Sequence, residues 1–147
     1  MAEVLFYHLT RSRVEQALPA LVQRSTARGW RVLVRLGSED GARLSDALWQ
    51  AGPTTFVAHG LEGRDEPQGQ PVWLATGDHE FEAEVAFALG GAFPRDAAAH
   101  ARTVVMFDGY DEDAVAAARA RWKALKGEGH ELTYWQQDDE GGWRKKG

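Results

Sequence analysis

The 147-residue chain sets 17 lysines and arginines against 22 aspartates and glutamates, a net charge of −5, and contains no cysteine. That balance disfavours general electrostatic attraction to nucleic acid, and the missing thiols exclude disulfides, thiolate zinc sites and cysteine nucleophiles. With 44% hydrophobic and 27% charged residues, residues 1–147 have the composition of one globular domain, large enough to bury a core without staples.

No apolar run approaches membrane-spanning length, and the opening MAEVLFYHL has no basic segment before its apolar one. A cytoplasmic protein with no membrane partner is expected. Val4 to Leu9 is short, aromatic and bounded by Thr10, so it predicts a first strand. Val14, Ala17, Leu18, Leu21 and Val22 then follow helical spacing as far as Arg28, and Gly29 ends the run. Pro19 falls inside it. Either the main helix begins there, with proline at its first position and a loose turn ahead, or the helix is kinked; the first is preferred.

Trp30 to Leu36, WRVLVRL, is the strongest strand signal, and Gly37 to Asp40 turns it into a second helix with Ser38 as N-cap. On that helix Leu44, Ala47 and Leu48 share one face while Trp49 projects away from it. A tryptophan so placed is either a lid over the sheet edge or a contact for a partner, and the spacing alone does not choose. Thr54 to His59 is a third strand, Leu61 to Gln70 a polar loop rich in Gly and Pro, Pro71 to Ala75 a fourth strand and Ala83 to Leu89 a fifth. A short helix is expected within Phe93 to Ala101, then another apolar strand from Thr103 to Phe107.

The sharpest pattern follows, DEDAVAAARARWKALKG from Asp111 to Gly127. At about 100° per residue, Val115, Ala118, Trp122 and Leu125 form an apolar arc. Arg119, Lys123 and Lys126 lie beside it, Trp122 stands on the border, and Gly127 is the expected stop. A core helix with charges matched to its macrodipole would look like this, acids first and bases last. So would a site for an acidic peptide with an apolar anchor, since an indole offers buried area and cations pair with carboxylates. In residues 128–147, Leu132 to Gln136 and Trp143 to Lys145 flank DDEGG, as a hairpin or a loosely held extension.

Strands alternating with helices imply an α/β fold, a single domain with a mostly parallel central sheet flanked by helices. Such sheets often bind nucleotides, but there is no GxGxxG after the first strand and no Walker loop. The acids of a phosphorylated receiver domain are missing too: Thr10 and Arg11 follow the first strand and His59 ends the third. The five histidines show no metal-binding spacing. His59, beside Gly60 at a strand end, is the best catalytic candidate, yet no nucleophile pairs with it in the sequence, so it reads as structural. No catalytic residue, cofactor or metal ligand is assigned.

Taken in order, LFYHL, GWRVLVRLGSED, RLSDALW, FVAHGL, PVWL and RARWK resemble the chi subunit family of bacterial DNA polymerase III, from the first strand to about Lys126. The resemblance implies a non-catalytic accessory of the clamp loader. It implies two partners: the acidic C-terminal tail of single-stranded DNA-binding protein, and the psi subunit or another replication or repair protein. DNA would be reached only indirectly. By motif match, Arg119, Trp122 and Lys123 occupy the family's tail-contacting positions, with Lys126 a further cation. Trp122 stands where a tyrosine is familiar, and Val115 where a lysine can occur. The resemblance gives the second partner Trp49 and Phe56. The competing expectation, from another class, is a small α/β enzyme or nucleotide-binding domain with an unrecognised site.

Overall fold

Side-chain parity along β1 (Glu3–Leu9) divides the molecule. Successive strand residues face opposite ways, so Val4 and Phe6 enter one apolar cluster while Leu5 and Leu9 enter another. The computed structural model describes residues 3–37, 41–50, 58–76, 81–94, 99–140 and 142–146. After β1 come α1 (Val14–Ala27), β2 (Val32–Arg35), α2 (Gly41–Trp49), β3 (Gly60–Leu61), β4 (Val72–Ala75) and β5 (Val85–Ala88). Then follow β6 (Arg102–Asp108), α3 (Glu112–Gly127), β7 (Glu131–Gln137) and β8 (Trp143–Lys145).

The strands form one sheet in the order β3-β4-β2-β5-β6-β1-β7-β8. Every pairing is parallel except that of β7 with β8, a hairpin at the edge. This is the α/β architecture expected, with a mostly parallel sheet. Parallel strands need both faces covered. Val14, Leu18 and Val22 of α1 and Leu44 and Leu48 of α2 pack on Val32, Val34, Val104 and Met106 on one face. Ala118 and Leu125 of α3 pack on Val4, Phe6 and Phe107 on the other. Among the described residues no helix is long and apolar enough to cross a membrane.

Three expectations are corrected. The first helix does not begin at Pro19 but runs through it from Val14. The Gln16 side-chain oxygen accepts from the Arg13 backbone N–H at 2.8 Å, closing the first turn ahead of the proline. Buried Val14, Leu18 and Val22 then hold the helix to the sheet through the one backbone bond that proline removes. Of the third strand expected over Thr54 to His59, 54–57 lie outside the described residues, while Ala58 and His59 are not strand and pairing occurs at Gly60–Leu61. Gly127 does not stop the late helix. It is helical, and the chain leaves at Gly129, whose φ of 82° suits only glycine without strain. The expected N-cap Ser38, and 95–98 of the expected short helix, also lie outside the described residues.

Candidate functional site

The four residues predicted for an acidic ligand come together on α3. The helix is started by Asp111, whose carboxylate accepts from the N–H groups of Asp113 at 3.0 Å and Ala114 at 3.2 Å. Ala118 and Leu125 are buried, Val115 and Trp122 half-buried, and Arg119, Lys123 and Lys126 exposed. Offsets of three, four and seven residues put Trp122, Lys123 and Lys126 on the same side of the helix as Arg119.

Trp122 lies in an aromatic bed that the sheet supplies. Its ring meets Phe6 of β1 edge-on at 5.2 Å and Tyr134 of β7 edge-on at 5.9 Å. The Tyr134 hydroxyl is 2.7 Å from His8 Nδ1, and the His8 ring stacks on Phe107 of β6 at 5.0 Å. Burial holds the His8 imidazole below the ordinary histidine value, and the Arg119 guanidinium lowers it further. Burial pushes the Tyr134 phenol up, opposed by the same guanidinium. The Arg119 charge thus acts on both members of the His8–Tyr134 pair. No hydrogen bond or ion pair joins Arg119, Lys123 or Lys126 to another described residue. The arrangement offers three exposed cations along a wall of rings, suited to carboxylates next to an apolar side chain.

The groove on the other side of α3, about 320 Å³, suits such a ligand poorly. Asp108, Asp111 and Asp113 line it, and its one cation, Arg121, already stacks on Phe93 at 4.6 Å. A larger cleft of about 1620 Å³ lies at the opposite ends of the strands, beside Gln70 and Phe81. Within it Arg31 stacks on Phe81 and donates to the Gln70 carbonyl, while Glu84 accepts from the Arg31 N–H. His100 Nδ1 sits 2.8 Å from the Ala83 carbonyl.

Trp49 is 48% exposed at the end of α2, its ring 4.7 Å from His59. Phe56, its expected companion, lies outside the described residues. His59 Nε2 is 2.7 Å from Ser45 Oγ, a pairing the sequence did not disclose. Ser45 is only 1% exposed and His59 7%, so a substrate could not reach the hydroxyl, and the pair ties α2 to the chain entering β3.

In nucleotide-binding α/β folds, phosphate lies where the first strand turns into the first helix. Here that position is filled. The N–H groups of Thr10, Arg11 and Ser12 all donate to the Gln137 side-chain oxygen, at 3.0, 2.9 and 3.2 Å. The Gln137 amide donates onward to Ser12 Oγ at 2.8 Å. The chain thus plugs its own anion-binding turn.

Sequence reasoning missed Phe6, His8, Tyr134 and Gln137. The signal for the first three was parity: in LFYHL and in LTYWQ every second residue faces α3, once those strands are known to be neighbours. Gln137 carried no such signal.

The family model described as DNA polymerase III chi subunit, HolC, matches residues 1–133. Among curated proteins, DNA polymerase III subunit chi of Escherichia coli (strain K12) is 32% identical over 125 residues. That alignment covers 83% of this chain and 84% of the relative.

Proposed function

The chain belongs to the DNA polymerase III chi subunit family, and from that premise we propose that it is a replication adaptor with no chemistry of its own. One surface, formed by Arg119, Trp122, Lys123 and Lys126, holds the acidic C-terminal tail of single-stranded DNA-binding protein. Another, around Trp49 and Phe56, meets the psi subunit of the clamp loader or another replication or repair protein. The observation that carries the first assignment is the row of exposed cations, unengaged by any described residue, beside the half-buried indole of Trp122.

The mechanism is tethering. A tail bound on α3 raises the effective concentration of the clamp loader at DNA that the tail's owner already coats, turning later encounters into near-intramolecular ones. The protein itself touches DNA only through that partner, consistent with its net charge of −5.

Isothermal titration with an acidic peptide ending in Phe tests this. Binding should be measurable, weaken as salt rises because exposed charges are screened, and fall sharply in Arg119→Ala. Unchanged affinity in that variant removes the assignment to α3. In anisotropy, submicromolar binding of a bare single-stranded oligonucleotide at moderate salt would contradict the indirect route to DNA.

A further inference from the structure

The hydrogen bond between His8 and Tyr134 has two polarities, and only one of them helps an acidic ligand. With the His8 ring neutral and its hydrogen on Nε2, Nδ1 can only accept. The Tyr134 hydroxyl, 2.7 Å away, then gives its hydrogen to the ring and turns lone pairs toward α3. A proton taken up at Nδ1 reverses the bond: the imidazolium donates to the Tyr134 oxygen, and the hydroxyl hydrogen is free to turn outward. The ring is held in place for this. Phe107 stacks on it, and a Cβ at position 109 would fall 2.3 Å from Nε2, so Gly109 leaves the slot open.

We propose that His8 and Tyr134 form a proton-dependent arm of the tail site, in which protonation of His8 converts the Tyr134 hydroxyl into a donor for a tail carboxylate seated beside Arg119. This rests on the tail assignment above. The groups around the ring are Arg119 from α3, Tyr134 from β7, and uncharged Phe107 and Gly109 from β6 and its turn; Gln136 is its neutral register neighbour. Among the described residues, the charge that acts on His8 is that of Arg119. In the free protein burial and that guanidinium both oppose the imidazolium. A bound carboxylate offsets the guanidinium and so favours proton uptake.

Binding and protonation are therefore linked, and affinity rises as pH falls toward about 5.5. Tail carboxylates stay ionised over that range. A one-unit rise in the His8 pKa on binding corresponds to at most roughly a tenfold gain.

The experiment is a fluorescence-anisotropy titration with an acidic peptide ending in Phe, at pH 5.5, 6.5 and 7.5. Wild type, His8→Gln, Tyr134→Phe and Arg119→Ala are compared, and the His8 imidazole of wild type is followed by NMR with and without saturating peptide. Wild type should bind several-fold tighter at pH 5.5 than at 7.5. That ratio should collapse toward one in His8→Gln and Tyr134→Phe, and peptide should raise the His8 pKa. If wild type binds with Arg119-dependent affinity but no pH dependence, the tail assignment stands and the proton arm is overturned. A His8 pKa that peptide leaves unmoved overturns the arm equally, and it decides alone if His8→Gln does not fold. If wild type binds no peptide at any pH, both fall.

Discussion

Phe6 and Trp122 meet edge to face, ring centroids 5.2 Å apart and planes at 72°. Phe6 is fully buried in β1, whereas Trp122 is half-exposed on α3. One contact therefore joins the core of the sheet to the surface where the cations stand. Trp122 is both a wall of the candidate site and part of the packing that holds α3 down, while Arg119, one turn earlier, is only the former.

Substitutions should separate those roles. Trp122→Ala removes a half-buried ring and should cost stability by about 2 kcal/mol, less than a fully buried tryptophan would. It should also weaken the acidic peptide. Arg119→Ala should change stability by no more than about 0.5 kcal/mol, yet weaken peptide by about 1.5–3 kcal/mol through the lost charged hydrogen bonds. Urea denaturation and isothermal titration on both variants check this, and Arg119→Ala unfolding at markedly lower urea would mean that the guanidinium is structural.

Gln137 provides an independent test of how the sheet is closed. Its side-chain oxygen collects three backbone N–H donors from the turn after β1, at the far end of the chain. Gln137→Ala strands those donors and should destabilise by about 1–3 kcal/mol. Gln137→Glu should recover much of the loss, because a carboxylate accepts from the same three donors and its pKa is then held down. Thermal melts at pH 7 should rank wild type and Gln137→Glu above Gln137→Ala, and equal melting of all three would show that water satisfies the turn.

What could be read without the structure follows from local pattern. Short apolar or aromatic runs marked β1, β2, β4, β5 and β6, and the 3.6-residue period marked α3 together with the face that Trp49 leaves. Periodicity gives the parity of a strand but not its neighbours. Nothing in LTYWQ announces that β7 lies against β1, and so the chain Phe6–Trp122–Tyr134–His8 could not be assembled from the sequence. Pro19 misled because local backbone preference was set against an apolar stripe, Val14, Leu18 and Val22, that begins before it and outweighs one lost hydrogen bond. Ser45–His59 and Gln137 are polar pairings whose partners carry no pattern of their own.

Asp108 closes β6 beside the start of α1, and burial raises its carboxyl above the ordinary value of 3.8, opposed by a hydrogen bond from the Val14 N–H. The folded state therefore binds this proton more tightly than the unfolded chain does. Its contribution to stability is complete below the ordinary value and is lost as pH rises through the folded one. Asp108→Asn keeps an acceptor for Val14 without the charge. Relative to wild type, the variant should gain stability as pH rises from the ordinary carboxyl value through the folded one and hold a constant advantage above. Paired urea titrations across that range check this, and a pH-independent difference would mean that the carboxyl titrates normally.

The helices that carry Trp49 and Arg119 lie on opposite faces of the sheet. Leu44 and Leu48 fix α2 to the face that α1 covers, and Ala118 and Leu125 fix α3 to the other. Trp49 leans on His59, and Trp122 on Phe6 and Tyr134, so the two indoles contact different rings. Substitutions at separate sites without common partners usually add within about 0.5 kcal/mol. Trp49→Ala removes an exposed apolar ring of the kind that anchors interfaces, so it should abolish capture of clamp-loader components. Its affinity for an acidic peptide ending in Phe should stay within about 0.5 kcal/mol of wild type. Arg119→Ala should do the reverse, and the double variant should lose both. Pull-downs with the peptide and with clamp-loader components on all three variants read this out, with circular dichroism to confirm folding. If Trp49→Ala loses both partners while folded, the two-surface adaptor is wrong, because no rigid separation of α2 from α3 could produce that result.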